Sequence, residues 1–545
     1  MKSKIFIVLL LSMTLIFGAV GIVSANRTLV FGSGGDVTKL DPGDVTDNIS
    51  MERMDNMFEC LVGFKPGTTE IQPWLATSWD ISSDGKEIVF NLRKGVKFHD
   101  GTDFNADAVV FSFARQYDTN HPYYEYGEWA LWKALLGAIE EVVKIDDYTI
   151  KIVLRRKNSA TITSLTMMYA VAMVSPTNAE KYKEDAFKHP CGTGPFKFVE
   201  WVKNDHITLE ANENYWQGKP KLDRLIFKVI PDPSARLMAL EVGEVQGIEY
   251  PNPADFDRIK ANKDLVLMSA PGMNIGYMAI NTGYGYKDTN GNGVRDIGAE
   301  PWVKTPGYLE PLTKKKVRQA INMAIDKQSI IDNIYMGTAI KATNGIPPFM
   351  LGYNDAIVDY PYDPVKAKEL LAEAGYPDGF EVTLYVMPVS RAYMFDPPKI
   401  GEAIQSYLAA VGITVEFYQV DWGTYLQEAE AGKPQMCLLG ITGDTGDTDD
   451  FMSYCYAPNS ASIGVASNHA FYNNEEVQNL ISRALETYDK TERAEYYKRV
   501  QEVIHEDAPW VYLAHSNQNL VFSRTVHDFV LYPTSRMFFH PVWIE

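Results

Sequence analysis

The sequence predicts a protein of the α/β class, and two observations carry that prediction. Residues 363–441 alternate between helix-like and strand-like patterns, and residues 148–154 alternate apolar and polar side chains as a half-buried strand does. Strands that alternate with helices fold with right-handed crossovers into a largely parallel sheet. At 545 residues the chain can bury several cores, so we expect more than one domain.

The stretch 363–441 gives the clearest elements. Asp363-Pro364 is a helix start, and Gly375 ends that helix. The elements that should follow are a strand at 380–386, a helix at about 398–411, a strand at 413–420, a helix at 422–430 and a strand at 436–441. In the first third of the chain we predict strands at 28–31, 87–92 and 148–154, and a helix capped by Asn105.

The first residues read as an export signal. Lys2 and Lys4 precede an almost wholly apolar run from 5 to 20, and Val23-Ser24-Ala25 offers a small-residue cleavage site. The alternative is a membrane anchor, but the apolar run is short for one. We therefore predict a signal peptide at 1–25, cleaved after Ala25. The next residue is not cysteine, so no lipid anchor is expected and the mature protein should be soluble.

The net charge and the cysteine content exclude several classes of partner and site. The formal net charge of −19 argues against nucleic acid and against anionic membrane surfaces. The four cysteines, Cys60, Cys191, Cys437 and Cys455, form no CxxC pair and have no histidine at metal-ligand spacing nearby. We predict free, mostly buried thiols, with a Cys437–Cys455 disulfide as the open alternative.

Two loops leave the carboxyl ends of the predicted strands, which is where α/β sheets bind ligands. The loop 387–393 carries Arg391, and the loop 440–447 carries Asp444. A guanidinium holds a carboxylate through two parallel hydrogen bonds, and a carboxylate accepts hydrogen bonds from an ammonium group. Arg391 and Asp444 therefore suit a zwitterion. The alternative is that they are solvated loop charges or pair with each other.

Several short segments, taken in their order and spacing, carry a family resemblance. They are Leu75-Ala76-Thr77-Ser78-Trp79, the run 92–101, Gly192-Thr193-Gly194-Pro195-Phe196, Asn214-Tyr215-Trp216, the run 250–255, Lys316-Val317-Arg318-Gln319-Ala320 and Ile346-Pro347-Pro348. The chain resembles the bacterial extracellular solute-binding proteins of family 5, which serve dipeptide, oligopeptide and nickel importers. The similarity runs over essentially the whole chain after residue 25.

The resemblance implies a two-lobed periplasmic-binding-protein fold (type II, cluster C) with an extra domain inserted in the first lobe. We expect the first lobe at 26–65, 195–285 and 515–545, the inserted domain at 66–194, and the ligand-binding second lobe at 286–514. The resemblance also implies the function: a periplasmic, monomeric substrate-binding protein of an ABC importer that closes on its ligand and delivers it to a membrane permease.

Within the family, the resemblance is strongest to members that bind dipeptides. The segment 388–393 matches a loop whose arginine holds the peptide carboxylate, and 443–447 matches a loop whose first aspartate holds the amino group. The ligand-binding residues it implies are Arg391, Asp444, Tyr393, Ile441, Thr442 and Gly443. Tryptophan is common in the family where this chain has Ile441, which leaves the side-chain preference open. Because some members bind oligosaccharides, a sugar ligand is the second candidate.

Residues 288–296 resemble a calcium loop. Its candidate ligands are Asp288, Asn290, Asn292 and Asp296, at positions one, three, five and nine, with glycine at position six. An Asn-Gly-rich surface turn would look similar. Beyond this possible structural Ca²⁺, no cofactor is expected.

The acidic residues around Asp444 offer another candidate metal site, made of Asp444, Asp447, Asp449 and Asp450. We favour the interpretation in which only Asp444 meets the ligand, while the others cap helices or face solvent. The sequence contains no GxSxG, HExxH, Walker A or GxGxxG pattern, so we expect no enzyme. A secreted hydrolase is the alternative of a different class, because carboxylate-based hydrolases carry no short signature.

Overall fold

The computed structural model describes residues 27–45, 47–129, 132, 136–287 and 302–545. The predicted signal peptide at 1–25 lies outside the described residues. The predicted calcium ligands Asp288, Asn290, Asn292 and Asp296 also lie outside them.

The strands of the described residues are short except for one near the end. They are β1 (Thr28–Ser33), β2 (Val62–Phe64), β3 (Ile71–Pro73), β4 (Ala76–Ile81), β5 (Glu87–Leu92), β6 (Ile139–Asp146), β7 (Thr149–Leu154), β8 (Phe196–Val202), β9 (His206–Ala211), β10 (Arg224–Val229), β11 (Gly247–Glu249), β12 (Leu265–Pro271), β13 (Asn274–Ile280), β14 (Tyr284–Tyr286), β15 (Trp302–Lys304), β16 (Ala339–Lys341), β17 (Phe380–Tyr385), β18 (Ile413–Tyr418), β19 (Met436–Thr442), β20 (Trp510–Ser523), β21 (Val526–His527) and β22 (Trp543–Ile544).

The α-helices of the described residues cluster in the second half of the chain. They are α1 (Asn48–Met54), α2 (Ala106–Tyr117), α3 (Thr161–Ser164), α4 (Met168–Val171), α5 (Pro176–Tyr182), α6 (Pro233–Glu241), α7 (Phe256–Ala261), α8 (Glu310–Thr313), α9 (Lys315–Ala324), α10 (Lys327–Ile330), α11 (Pro364–Glu373), α12 (Pro397–Ala409), α13 (Trp422–Glu430), α14 (Asp449–Cys455), α15 (Glu475–Glu486) and α16 (Lys490–Asp507). A π-helical turn at Ile331–Tyr335 and short 3₁₀ turns connect some of them.

The predicted α/β segment is confirmed. Asp363 caps α11 by accepting from the backbone N–H of Lys366, and Gly375 follows that helix with a φ of +97°. Strand β17 pairs in parallel with both β18 and β19, as crossover helices require. The helix capped by Asn105 is also present, as α2.

One long sheet runs through the molecule in the order β18-β17-β19-β13-β20-β11-β1-β10-β9-β8, and β12 and β16 also pair with β20. A separate four-stranded sheet, β4-β5-β7-β6, lies within the range 66–194 where we expected the inserted domain. The long sheet is therefore shared by two lobes, and the small sheet packs in the core of the first of them.

Strand β20 passes from one core to the other. Its first half, to Ala514, packs in a core built from residues 273–514, which we call the second lobe. Its second half contributes Leu520 and Phe522 to a core that holds residues 29–227 and extends to Val542; this is the first lobe. Strand β13 packs in the second core although it lies within 195–285, a range assigned to the first lobe from the sequence.

Where β20 passes from one lobe to the other, its backbone hydrogen bonds with β12 and β13 are interrupted, and the side chain of Asn274 fills the gap. The β12–β20 ladder ends at Pro271, and the β13–β20 ladder resumes at Gly276. Between them the Asn274 amide donates to the carbonyl of Ser516 at 2.9 Å and accepts from the Ser516 N–H at 2.9 Å. Backbone groups at the crossing are thereby satisfied without a continuous strand pair.

Burial explains the state of the thiols. All four cysteines are free and buried, and burial raises the pKa of Cys437 to about 12. They are therefore poor nucleophiles. Among the described helices, none combines the length and apolarity that a membrane span requires.

Candidate ligand-binding cleft

A cavity with about 730 Å³ of empty space, part of it open to solvent, lies where β20 passes between the lobes. Glu52, Glu249, Tyr250 and Arg536 line it from the first lobe, and Tyr335, Arg391 and Phe395 line it from the second. Residues 516–520 of β20 form the wall that joins the two sides. This position is the expected one for a ligand held between two closing lobes.

Arg391 lies in the loop between β17 and α12, as predicted. Its backbone exchanges two hydrogen bonds with Met394, at 2.9 and 3.0 Å, which closes a tight turn. The exposed guanidinium lies 4.6 Å from the ring centre of Trp422, and no described carboxylate forms an ion pair with it. Arg391 is therefore a charged donor on the cavity wall that remains available to an anionic group.

Tyr393 anchors that loop on the sheet. Its carbonyl accepts from the hydroxyl of Tyr335 at 3.0 Å. Its ring packs on Gly440 of β19, and its backbone lies against Gly276, the residue paired with Gly440 across the β13–β19 ladder. A Cβ atom on Gly276 would lie 2.5 Å from the Tyr393 carbonyl oxygen. Two facing glycines therefore make the space in which the loop sits.

The second predicted loop leaves the end of β19. Ile441 and Thr442 are its last residues, partly buried and paired with β13. Gly443 donates its N–H to the carbonyl of Met273 at 2.7 Å. The N–H of Asp444 donates to the Asp450 carboxylate at 3.0 Å, which fixes the loop backbone.

The packing of Tyr393 on Gly440 brings the first loop close to the end of β19, where the second loop begins. Burial raises the pKa of the Tyr454 phenol to about 12, and the charges of Glu430 and Asp444 contribute in the same direction. Tyr393, Ile441, Thr442, Gly443 and Asp444 are thus gathered at one end of β19. The cavity lining includes Arg391 and not Asp444, so the two predicted charges do not share that cavity wall.

A buried charged cluster at the first-lobe side was not predicted from the sequence. The Arg53 guanidinium donates to the Glu52 carboxylate at 2.6 Å and lies 3.4 Å from that of Glu249. Burial raises the pKa of Glu52 well above its ordinary value, and the Glu249 charge adds to the effect. The sequence pattern that could have indicated this cluster is the Glu-Arg pair between Met51 and Met54, because charged side chains next to buried methionines need partners.

Comparison with known proteins decides the family. The model of the bacterial extracellular solute-binding proteins, family 5 (middle region), matches residues 70–462. The chain belongs to this family. It is 37% identical to the dipeptide-binding protein of Escherichia coli K12 over 541 residues, which covers 95% of each chain. It is 36% identical to heme-binding protein A of Haemophilus influenzae, over 96% of this chain and 93% of that one.

A solved structure shows the same fold. The periplasmic binding protein DppA of Helicobacter pylori, in complex with the peptide STSA, superposes with a TM-score of 0.81 at 34% identity. The match covers 95% of this chain and 99% of that one. The two-lobed fold expected of the family is therefore confirmed.

In this family member Ser159 and Thr163 contact the second lobe. Ser159 donates its backbone N–H to the carbonyl of Leu485 at 2.8 Å and its hydroxyl to the carbonyl of Ala484 at 3.1 Å. The Thr163 hydroxyl donates to the Asp447 carboxylate at 3.1 Å. In the described part of the chain, the segment 159–163 is therefore in contact with the second lobe.

The acidic residues beside Asp444 have separate partners. Asp447 accepts the N–H of Asp449 at the start of α14, as a cap does, but it does not face solvent: it is buried in a two-bond ion pair with Arg493, each bond 2.7 Å. Asp449 accepts from the Ser453 hydroxyl, and Asp450 accepts from Thr445. Within the described ranges no group of three or more His, Cys, Asp or Glu side chains is placed to hold a metal ion.

Proposed function

We propose that this chain is the periplasmic substrate-binding protein of an ABC importer, that it captures short peptides of dipeptide size by their termini, and that it delivers them to the membrane permease. The observation that carries the proposal is Arg391: a guanidinium without a described carboxylate partner, on the wall of a cavity between two lobes. In this proposal the protein catalyses no reaction. The names of the peptide-binding relatives support the ligand class.

Arg391 would hold the ligand carboxylate through two parallel hydrogen bonds, and Asp444 would accept from the ligand ammonium group. Charge-assisted hydrogen bonds contribute roughly 1.5–3 kcal/mol each. Micromolar affinity requires about 8 kcal/mol, so the two charged termini would supply a good part of it. Tyr393, Ile441, Thr442 and Gly443 would position these two residues from one end of β19.

Closure of the lobes would then present the loaded protein to the permease. The contacts of Ser159 and Thr163 with the second lobe support a closed state that buries the ligand between the lobes. The export signal proposed at 1–25 would place the protein in the periplasm. The relative in complex with STSA is named a periplasmic binding protein. A monomer would suffice, because both walls of the cavity come from one chain.

A thermal-shift screen of the mature protein, refolded free of co-purified ligand, tests this function. Specific binding to the folded state raises the melting temperature by mass action. The panel should hold dipeptides, tripeptides, amidated dipeptides, oligosaccharides, nickel and heme. We expect free dipeptides to raise the melting temperature and their amides to raise it much less, because amidation removes the charge that Arg391 holds.

Other results would contradict the proposal. A shift with oligosaccharides, nickel or heme and none with peptides would leave the family intact and overturn the peptide ligand. Equal shifts with free and amidated dipeptides would keep the peptide ligand and overturn the role of Arg391.

A further inference from the structure

We propose that Glu52 forms a subsite for a cationic side chain of the ligand, so that the protein favours peptides whose carboxyl-terminal residue is lysine or arginine. This proposal rests on the proposed function and specifies its substrate class. It follows from three features of the cavity: a Glu52 carboxylate oxygen that accepts from no described donor, one arginine shared by two carboxylates, and the presence of Arg391 in the same cavity lining.

Glu52 lies on α1 with 2% of its surface exposed, and it lines the cavity. Its Oε2 accepts from Arg53 at 2.6 Å, whereas its Oε1 has no hydrogen-bond partner among the described residues. Because Glu52 lines the cavity, this oxygen can accept a hydrogen bond from a group that enters the cavity. A ligand ammonium or guanidinium in the cavity would supply the missing donor.

Two buried carboxylates, those of Glu52 and Glu249, share the single guanidinium of Arg53. Arg53 is divided between Glu52 and Glu249, while Arg536 is committed to Asp55 through hydrogen bonds of 2.8 and 2.9 Å. Arg236 donates to backbone carbonyls, among them that of Glu249 at 3.2 Å, and forms no ion pair with a described carboxylate. The carboxylates of Glu249 and Asp55 both act on Glu52 and oppose its ionisation.

The cavity gives this carboxylate a defined relation to Arg391. Tyr250 lies within the electrostatic reach of both: the Glu52 charge is the main cause that raises the pKa of its phenol, and Arg391 lowers it. Glu52 and Arg391 line the same cavity, so a residue whose carboxylate binds Arg391 would have its side chain in the cavity that Glu52 lines. Pro251, Phe395 and Leu520 line that space and suit the apolar stem of a lysine or arginine.

Proton linkage distinguishes this subsite from a general acidic surface. Burial and Glu249 raise the pKa of Glu52, so the free protein holds a proton there at higher pH than an ordinary glutamate would. A cationic side chain favours the ionised form, so its binding should release a proton. A neutral side chain of the same length should release none, and its affinity should not rise with pH.

Calorimetric titration with Ala-Lys and Ala-norleucine tests the subsite, because the two peptides share a side-chain stem and differ in the ammonium group. For the unmodified protein we expect Ala-Lys to bind at least about tenfold more tightly, as one charge-assisted hydrogen bond implies. Glu52→Gln should abolish the difference and retain Ala-norleucine binding. Glu381→Gln, at an exposed site on β17, is the control that should keep the difference.

If Glu52→Gln does not fold, titration of the unmodified protein in two buffers of different ionisation enthalpy decides the question. Proton release with Ala-Lys and not with Ala-norleucine supports the subsite. Equal affinities and equal proton release for the two peptides overturn it while leaving peptide binding intact. Tighter binding of Lys-Ala than of Ala-Lys overturns the placement of the cation beside Arg391. Absence of binding by all three peptides contradicts the proposed function itself.

Discussion

Tyr393 packs its ring so closely on Gly440 that a Cβ atom at position 440 would lie 2.1 Å from its Cδ2. This contact ties the loop that carries Arg391 to the strand whose end carries Asp444. The two predicted charges are 53 positions apart in the sequence. Position 440 has no room for a side chain, and the contact of Tyr393 with Gly440 positions the two loops relative to each other.

Gly440→Ala should therefore weaken ligand binding without a change in any charged group. The new methyl group must push Tyr393 outward, because the ring cannot share the space, and overpacking of this kind costs roughly 1–3 kcal/mol. We expect a lower melting temperature and at least about a tenfold loss of dipeptide affinity, measured by calorimetry. Gly423→Ala on α13, where the nearest atom would be 3.4 Å away, is the matched control. Unchanged affinity in Gly440→Ala would show that the position of the Tyr393 loop does not matter.

Arg391→Ala should abolish dipeptide binding and leave the fold unchanged. Two charge-assisted hydrogen bonds of roughly 1.5–3 kcal/mol each correspond to a loss of at least about a hundredfold in affinity. The side chain is exposed and stacks on Trp422 alone, so the melting temperature of the free protein should stay the same. Arg258→Ala, at an exposed site on α7, controls for the loss of one positive charge. Wild-type affinity in Arg391→Ala would remove the zwitterion interpretation.

The buried pair of Asp447 and Arg493 should matter for stability. Burial lowers the pKa of Arg493, but the attraction of the Asp447 carboxylate and of the other groups around the guanidinium together outweighs burial, so the pKa of Arg493 is raised. Arg493→Gln leaves Asp447 as an uncompensated buried charge, which should lower the free energy of unfolding by about 3–5 kcal/mol in urea titrations. Adding Asp447→Asn should restore part of that loss. Arg499→Gln, from an exposed ion pair, should change it by less than about 1 kcal/mol. Equal effects of the two arginine substitutions would contradict this account.

The sequence was sufficient for the parts of the fold that local patterns determine. Asp363 and Gly375 delimit α11, and the apolar alternation of 380–385 marks β17, because caps and periodicity are properties of neighbouring residues. The loop positions of Arg391 and Asp444 followed from the same elements. The division of β20 between two cores could not be predicted, since nothing local distinguishes its two halves.

The first-lobe wall of the cavity was not predicted from the sequence, for a physical reason. Glu52, Glu249 and Arg391 come from three distant parts of the chain, and only the long-range pairing of β11 with β1 and β20 brings Glu249 beside α1. Charge clusters of this kind depend on tertiary packing rather than on spacing. The Glu52-Arg53 pair in a methionine-rich helix could have indicated a buried ion pair, but no local pattern indicates that Glu52 lines the same cavity as Arg391.

Asp450 should give the free energy of unfolding a specific pH dependence. Its carboxylate accepts from the N–H groups of Asp444 and Thr445 at 3.0 and 2.8 Å, yet burial outweighs these bonds and raises its pKa from 3.8 to about 7. A carboxyl whose pKa is raised by folding stabilises the folded state below its unfolded pKa, and this contribution is lost as the pH rises through the folded pKa. The contribution should therefore disappear between about pH 4 and pH 7.

Asp450→Asn keeps an oxygen acceptor for the loop and removes the titration. Relative to the unmodified protein, its free energy of unfolding should fall less between pH 4 and pH 7, by an amount on the order of a few kcal/mol. Urea titrations at four pH values measure this difference. Asp378→Asn, at an exposed position, is the matched control and should run parallel to the unmodified protein. Parallel curves for Asp450→Asn would mean that the carboxyl of Asp450 is ionised in the folded state throughout this range. Burial would then not raise the pKa of Asp450.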